Sequence, residues 1–255
     1  MSRSYVEMGV TSIPVMMSFA LSSLLVSMGN YLMMYESGNP QSIMMMMSLI
    51  SFSMVTMIWF RDSIRDSQVG LYPISFVSNS MMFIGFVIFS EVMVFLGVLW
   101  SFSWSMLIPS VWTGFEWPLV GMSFFDPFSL PLLGTSLLIS SAVFVTWSHG
   151  SSSLKGTMIS LLFSILLGSS FVCIQFIEYL SSSFTISSSS FGSCFFVATG
   201  LHGLHVIIGL FFLAFSLFRL SRFHNAILDG PIWYWHFVDY VWLLVFTMGY
   251  LFPSL

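Results

Sequence analysis

The feature that most constrains this sequence is a succession of seven long stretches from which charged side chains nearly vanish. They run from Pro14 to Tyr35, Ser42 to Phe60, Asn79 to Trp104, Pro131 to Trp147, Thr157 to Leu180, Phe191 to Phe218 and Trp233 to Phe252. A run of about 20 apolar residues suffices to cross the roughly 30 Å hydrocarbon layer of a bilayer. Inside lipid each backbone donor and acceptor must be paired within the protein, so a separate apolar run crosses as a helix. Hydrophobic residues make up 57% of the chain and charged residues 6%, too little polar surface for a water-facing fold. The predicted fold is therefore all-α: a polytopic membrane protein with seven transmembrane helices, forming one membrane domain over residues 1–255.

The links agree with that division. Glu36, Gly38, Asn39 and Pro40 break the first run from the second, and Trp59 ends the second just before Arg61 and Asp62. Residues 61–78 read as a polar link, with Asp62 and Arg65 three apart on a solvated helix end. Pro109, Pro118 and Pro127, with Trp112, Trp117, Glu116 and Asp126, suit an interfacial excursion between the third and fourth runs. If crossings alternate strictly, Arg3, Arg61, Arg65, Lys155, Arg219 and Arg222, the whole basic complement, fall on one side. Glu36, Glu116 and Asp126 fall on the other. This is the positive-inside pattern, and it places the N-terminus in the interior compartment.

Several function classes drop out. Six basic residues against a net charge of -4 leave no electropositive surface for a nucleic-acid backbone. No Walker-type phosphate loop occurs, and the only lysine, Lys155, lies outside the seventh run, which disfavours a retinal Schiff base. Cys173 and Cys194 lack CxxC spacing and read as small apolar side chains. The segment from Met1 to Val10 reads as a short tail before the first permanent span.

Ionisable residues within the runs are the functional candidates, because they are costly in lipid. Glu91 has Val87, Ile88, Val94 and Phe95 on adjacent turns, so an ionised carboxylate there lacks solvation from its own helix. His202 and His205 are three apart and share a helix side, but no third ligand stands at recognisable spacing. Glu91 and His205 lie at comparable depths in antiparallel spans, which makes a contact between them feasible. His236 and Asp239 are also three apart, where they suit a local polar network or a proton-accepting pair. Glu178, near the end of its run, either snorkels to the interface or is satisfied by a Ser or Gln partner.

Four segments, read together and in order, carry a family resemblance: WFRDSIRDS at Trp59 to Ser67, SEVMVF at Ser90 to Phe95, FFVATGLHGLHVIIG at Phe195 to Gly209, and WYWHFVD at Trp233 to Asp239. With these the chain resembles the mitochondrial cytochrome c oxidase subunit 3 family over essentially its whole length. The resemblance implies a two-helix bundle over residues 14–60 and a five-helix bundle over residues 79–252, in the mitochondrial inner membrane with the N-terminus in the matrix. It implies a subunit that carries no cofactor itself, with haem a and copper in partner subunits. The implied partners are oxidase subunits 1 and 2, smaller accessory subunits and membrane phospholipid. In such a subunit phospholipid fills a cleft between the bundles and proton uptake by the catalytic subunit is sustained. The matching residues are Arg61, Asp62 and Arg65 beside the cleft entrance, Glu91 within it, and His205, His236 and Asp239 in the larger bundle.

The chain departs from the commoner family pattern at Gly150, where a second histidine often follows His149, at Ser129, which replaces an acid, and in a shortened link after Arg222. The reading from a different class is a small-solute or ion transporter with Glu91 and the histidines along a water-filled path.

Overall fold

The apolar runs form helices in which the many serines stay inside the helical ladder. Ser18, Ser160 and Ser164 each donate to the carbonyl three residues back, at 2.8 to 3.0 Å. A hydroxyl satisfied on its own helix costs little in lipid, so serine does not end a span. A computed structural model describes residues 11–36, 42–69, 74–107, 125–222 and 228–254. Among them are seven long helices: α1 Ile13–Glu36, α2 Ser42–Gln68, α3 Ile74–Leu107, α4 Leu130–Gly150, α5 Leu154–Ser181, α6 Ser190–Arg222 and α7 Asp229–Phe246. A π-helical turn, Thr247–Leu251, and a last short helix, α8 Phe252–Ser254, continue α7 without a break.

Six of these helices are long and apolar enough to cross a bilayer, and α7 is the exception. Its composition follows from its position. Tyr234, Trp235, Phe237, Val238, Asp239, Val241 and Trp242 are all buried, so α7 faces protein on most sides and can carry aromatic and polar groups that lipid would reject. The outward faces of the other helices bear large apolar side chains such as Phe19, Phe83, Phe163 and Ile207, each at least half exposed or nearly so. Such a surface suits hydrocarbon and not water.

Helix ends extend past the runs read from the sequence. α2 continues through the charged segment to Gln68, where a polar link from residue 61 was expected. A helix entering the headgroup layer need not stop there, since Arg61 to Gln68 contains neither Gly nor Pro and charged side chains are solvated at that depth. Met1 to Val10 and most of the Pro- and Trp-rich link, from Pro109 to Trp117 and Pro118, lie outside the described residues. At its end, Asp126 Oδ1 accepts from the Phe128 amide at 3.1 Å, a local turn that leads into α4.

The chain divides into two compact units, Met1–Ser80 and Met81–Leu255. In the first, α1 and α2 pack together, and Ser27 and Ser48 meet through their hydroxyls at 2.6 Å in a buried contact. In the second, α4 packs on α5, α5 on α6, α6 on α7 and α7 back on α4. From residue 81 onward, α3 joins this ring through side chains, with Phe95 against Phe237 and Phe102 against Phe191. Trp235 is fully buried at the centre. The indole occupies space that a Cβ on Gly168 would enter at 2.7 Å and one on Gly209 at 2.9 Å.

Candidate functional site

Polar side chains of the larger unit are grouped where helices approach one another. Glu91 on α3 and His205 on α6 meet, with His205 Nε2 3.1 Å from Glu91 Oε2. The side chain of His205 is 7% exposed and that of Glu91 32%, so the acid forms the outer half of the pair. His205 Nδ1 lies 2.7 Å from the Leu201 carbonyl oxygen, which orients the ring. Phe95, Tyr234 and Phe237 surround it at centroid distances of 5.2, 6.3 and 6.2 Å. The contact that depth alone made feasible is present.

His202 points elsewhere. Its Nε2–H donates to the Val238 carbonyl at 3.2 Å, and its ring packs on Trp242 at 4.9 Å. Spacing of three residues therefore puts the two histidines against different partners, one on α7 and one on α3. Among the described residues, no group of three or more His, Cys, Asp or Glu side chains is placed to hold a metal ion.

His236 and Asp239 do not pair with each other. His236 Nε2 meets Thr146 Oγ1 of α4 at 3.2 Å, whereas Asp239 is buried and its Oδ1 has no hydrogen-bond partner among the described residues. One turn of helix separates them in direction enough for each to face a different neighbour. Arg61 Nε binds its sequence neighbour Asp62 at 2.8 Å rather than Arg65 binding Asp62 across a turn. Arg65 is exposed. Of the seven residues singled out, Arg61, Asp62 and Arg65 thus belong to the first unit, and Glu91, His205, His236 and Asp239 to the second.

Glu178 corrects the expectation of snorkelling. It is 2% exposed, and its carboxyl hydrogen-bonds the Tyr250 hydroxyl. Gln175 Nε2 donates to the same hydroxyl at 3.4 Å. The π-helical turn carries Tyr250 to this position, so the partner comes from a distant segment and not from the serines near Glu178 in sequence. Beside it, Tyr179 donates to Thr199 at 2.7 Å, linking α5 to α6. Two further contacts escaped the sequence reading. Trp235 Nε1 donates to Ser141 Oγ at 3.0 Å, and His149 Nδ1 lies 3.3 Å from Asp229 Oδ1. The second joins the end of α4 to the start of α7, so the α4–α5 turn and the α6–α7 link share one end of this unit.

Comparison with known proteins adds an independent finding. Residues 4–254 match the family model described as cytochrome c oxidase subunit III. Cytochrome c oxidase subunit 3 of Tachyglossus aculeatus aculeatus is 38% identical over 241 residues, covering 91% of this chain and 91% of the relative. The subunit 3 proteins of Pisaster ochraceus and Damaliscus lunatus are 38% and 39% identical over 243 and 242 residues, again covering 91% of each chain.

Proposed function

The chain belongs to the cytochrome c oxidase subunit III family, and from that premise we propose that it is a non-redox core subunit that braces the catalytic subunit of the oxidase. Electron transfer and oxygen reduction reside in partner subunits that hold haem a and copper. Its place is the mitochondrial inner membrane, with the N-terminus and the basic links on the matrix side. The single observation that carries the reading is the full-length family match, and the six helices long and apolar enough to cross a bilayer are consistent with it.

Two finer roles belong to the same reading. The subunit binds phospholipid, with phosphate near Arg61 or Arg65. Arginine supports this because its planar fork of donors matches a phosphate. Proton uptake by the catalytic subunit is sustained from the neighbourhood of Glu91, His205, His236 and Asp239. The contact of Glu91 with His205 supports it, since an acid and an imidazole within membrane-spanning helices are costly and mark a functional-site candidate.

Purification from native membranes tests the whole reading. The chain is expected to co-isolate with subunits that contain haem a and copper. A monodisperse preparation lacking them, which alone moves solute across liposomes, would replace this reading with a transporter.

A further inference from the structure

The geometry around His205 points to a property of the Glu91–His205 pair that the family assignment does not supply. We propose that this contact is a one-proton bridge: a single exchangeable proton is held between Glu91 Oε2 and His205 Nε2, and the pair as a whole is electrically neutral.

The argument starts from the other ring nitrogen. Nδ1 stands 2.7 Å from the Leu201 carbonyl oxygen, and a carbonyl oxygen can only accept. Nδ1 therefore carries a hydrogen, and in neutral histidine that is the only ring N–H. The tautomer is thus assigned from the hydrogen-bond network. Nε2 is left with a lone pair. It faces Glu91 Oε2 at 3.1 Å, which is hydrogen-bond distance. A carboxylate oxygen and a bare Nε2 are both acceptors, and two lone pairs at that separation repel. The contact needs one hydrogen, and only two arrangements provide it. Either Glu91 is the acid and donates from Oε2 to Nε2, or Nε2 holds the proton as imidazolium and donates to carboxylate. The first becomes the second when Oε2–H breaks and Nε2–H forms, with no change in net charge and no other reactant.

The surroundings favour keeping the pair neutral. His205 is 7% exposed and ringed by Phe95 and Phe237, so a net charge there would have little solvation. The other titratable groups facing it among the described residues are Tyr234 on α7, whose ring lies nearly parallel to the imidazole, and His202 on α6. Neither is placed to supply the missing hydrogen, because His202 spends its Nε2–H on Val238 and no bond joins Tyr234 to either partner. Glu91 is 32% exposed, so the bridge is open on its carboxyl side and closed on its imidazole side.

This inference deepens the supporting role given to the same two residues, yet its test reads the proton directly. Infrared difference spectroscopy of the intact oxidase at neutral pH, native against Glu91→Gln and against His205→Gln, assigns the Glu91 carboxyl bands and the His205 ring bands. Histidine nitrogen-15 chemical shifts, read with the same variants, count the ring protons. The expected result is one of two pairings: a protonated carboxyl with a singly protonated ring, or a carboxylate with a doubly protonated ring, the carboxyl bands being lost in Glu91→Gln and the ring bands in His205→Gln. A carboxylate beside a singly protonated ring, or a protonated carboxyl beside a doubly protonated ring, overturns the bridge. Because native enzyme carries the readout, that failure would leave the subunit's place in the oxidase untouched.

Discussion

Trp235 donates its indole N–H to the Ser141 hydroxyl at 3.0 Å, and through that bond α7 is tied to α4 at the buried centre of the larger unit. The same indole lies against Gly168 of α5 and Gly209 of α6, so one side chain touches three neighbouring helices. An added Cβ at Gly168 would stand 2.7 Å from an aromatic carbon of Trp235, which cannot swing aside as the Leu210 side-chain end beside it could. Gly168→Ala should destabilise the subunit by about 1–3 kcal/mol through overpacking. Ser141→Ala should cost about 1 kcal/mol by stranding the indole donor. Thermal dissociation of the subunit from purified oxidase gives both, with Gly168→Ala expected to be the larger loss.

In the first unit the buried hydroxyl contact between Ser27 and Ser48 joins α1 to α2 at 2.6 Å. Polar contacts between transmembrane helices are worth about 0.6 kcal/mol on average. Ser27→Ala and Ser48→Ala should each weaken the helix pair by about that much, and the double variant by little more than either alone. Steric trapping or thermal scans of the four proteins in a double-mutant cycle measure this coupling.

Tyr250 supports a second buried group. Its hydroxyl meets Glu178 and receives a hydrogen from Gln175, so Tyr250→Phe leaves two polar side chains without their shared partner. The expected loss is about 1–3 kcal/mol. Glu178→Gln should be milder, because an amide retains an acceptor for the Tyr250 hydroxyl. Hydrogen exchange of the amides from Thr247 to Leu251 should quicken in Tyr250→Phe, and unchanged exchange would separate the π-helical turn from this contact.

Replacing Arg61 and Arg65 together by alanine should lower the phospholipid that stays with the purified complex, as read by lipid mass spectrometry. Lysine at both positions should restore part of it, since charge is kept while the planar donor fork is lost. Unchanged lipid in the double alanine variant would remove these residues from the lipid role.

The sidedness of the links can be read by single-cysteine labelling at positions beside Arg61, Lys155 and Arg219. All three should react from the matrix. His149 and Asp229 already bring the ends of α4 and α7 together, so opposite labelling of the Lys155 turn and the α6–α7 link would contradict that pairing.

Sequence by itself determined the class of fold and the succession of seven long helices, because the bilayer imposes a length and an apolarity that six of the runs meet on their own. It also located Glu91 and His205 at matching depth, since rise along a helix is fixed. Helix ends were less legible: Arg61 to Gln68 continues α2 because charge stops a hydrocarbon crossing without stopping a helix. What no local pattern holds is rotation about each helix axis and the identity of the facing helix. Only tertiary structure turned His202 toward Val238 and His205 toward Glu91, drew Asp62 to Arg61, and buried Glu178 beneath Tyr250. Those choices depend on which side chains fill the space between helices, such as Trp235 over Gly168 and Gly209, and packing of that kind is a property of several segments at once.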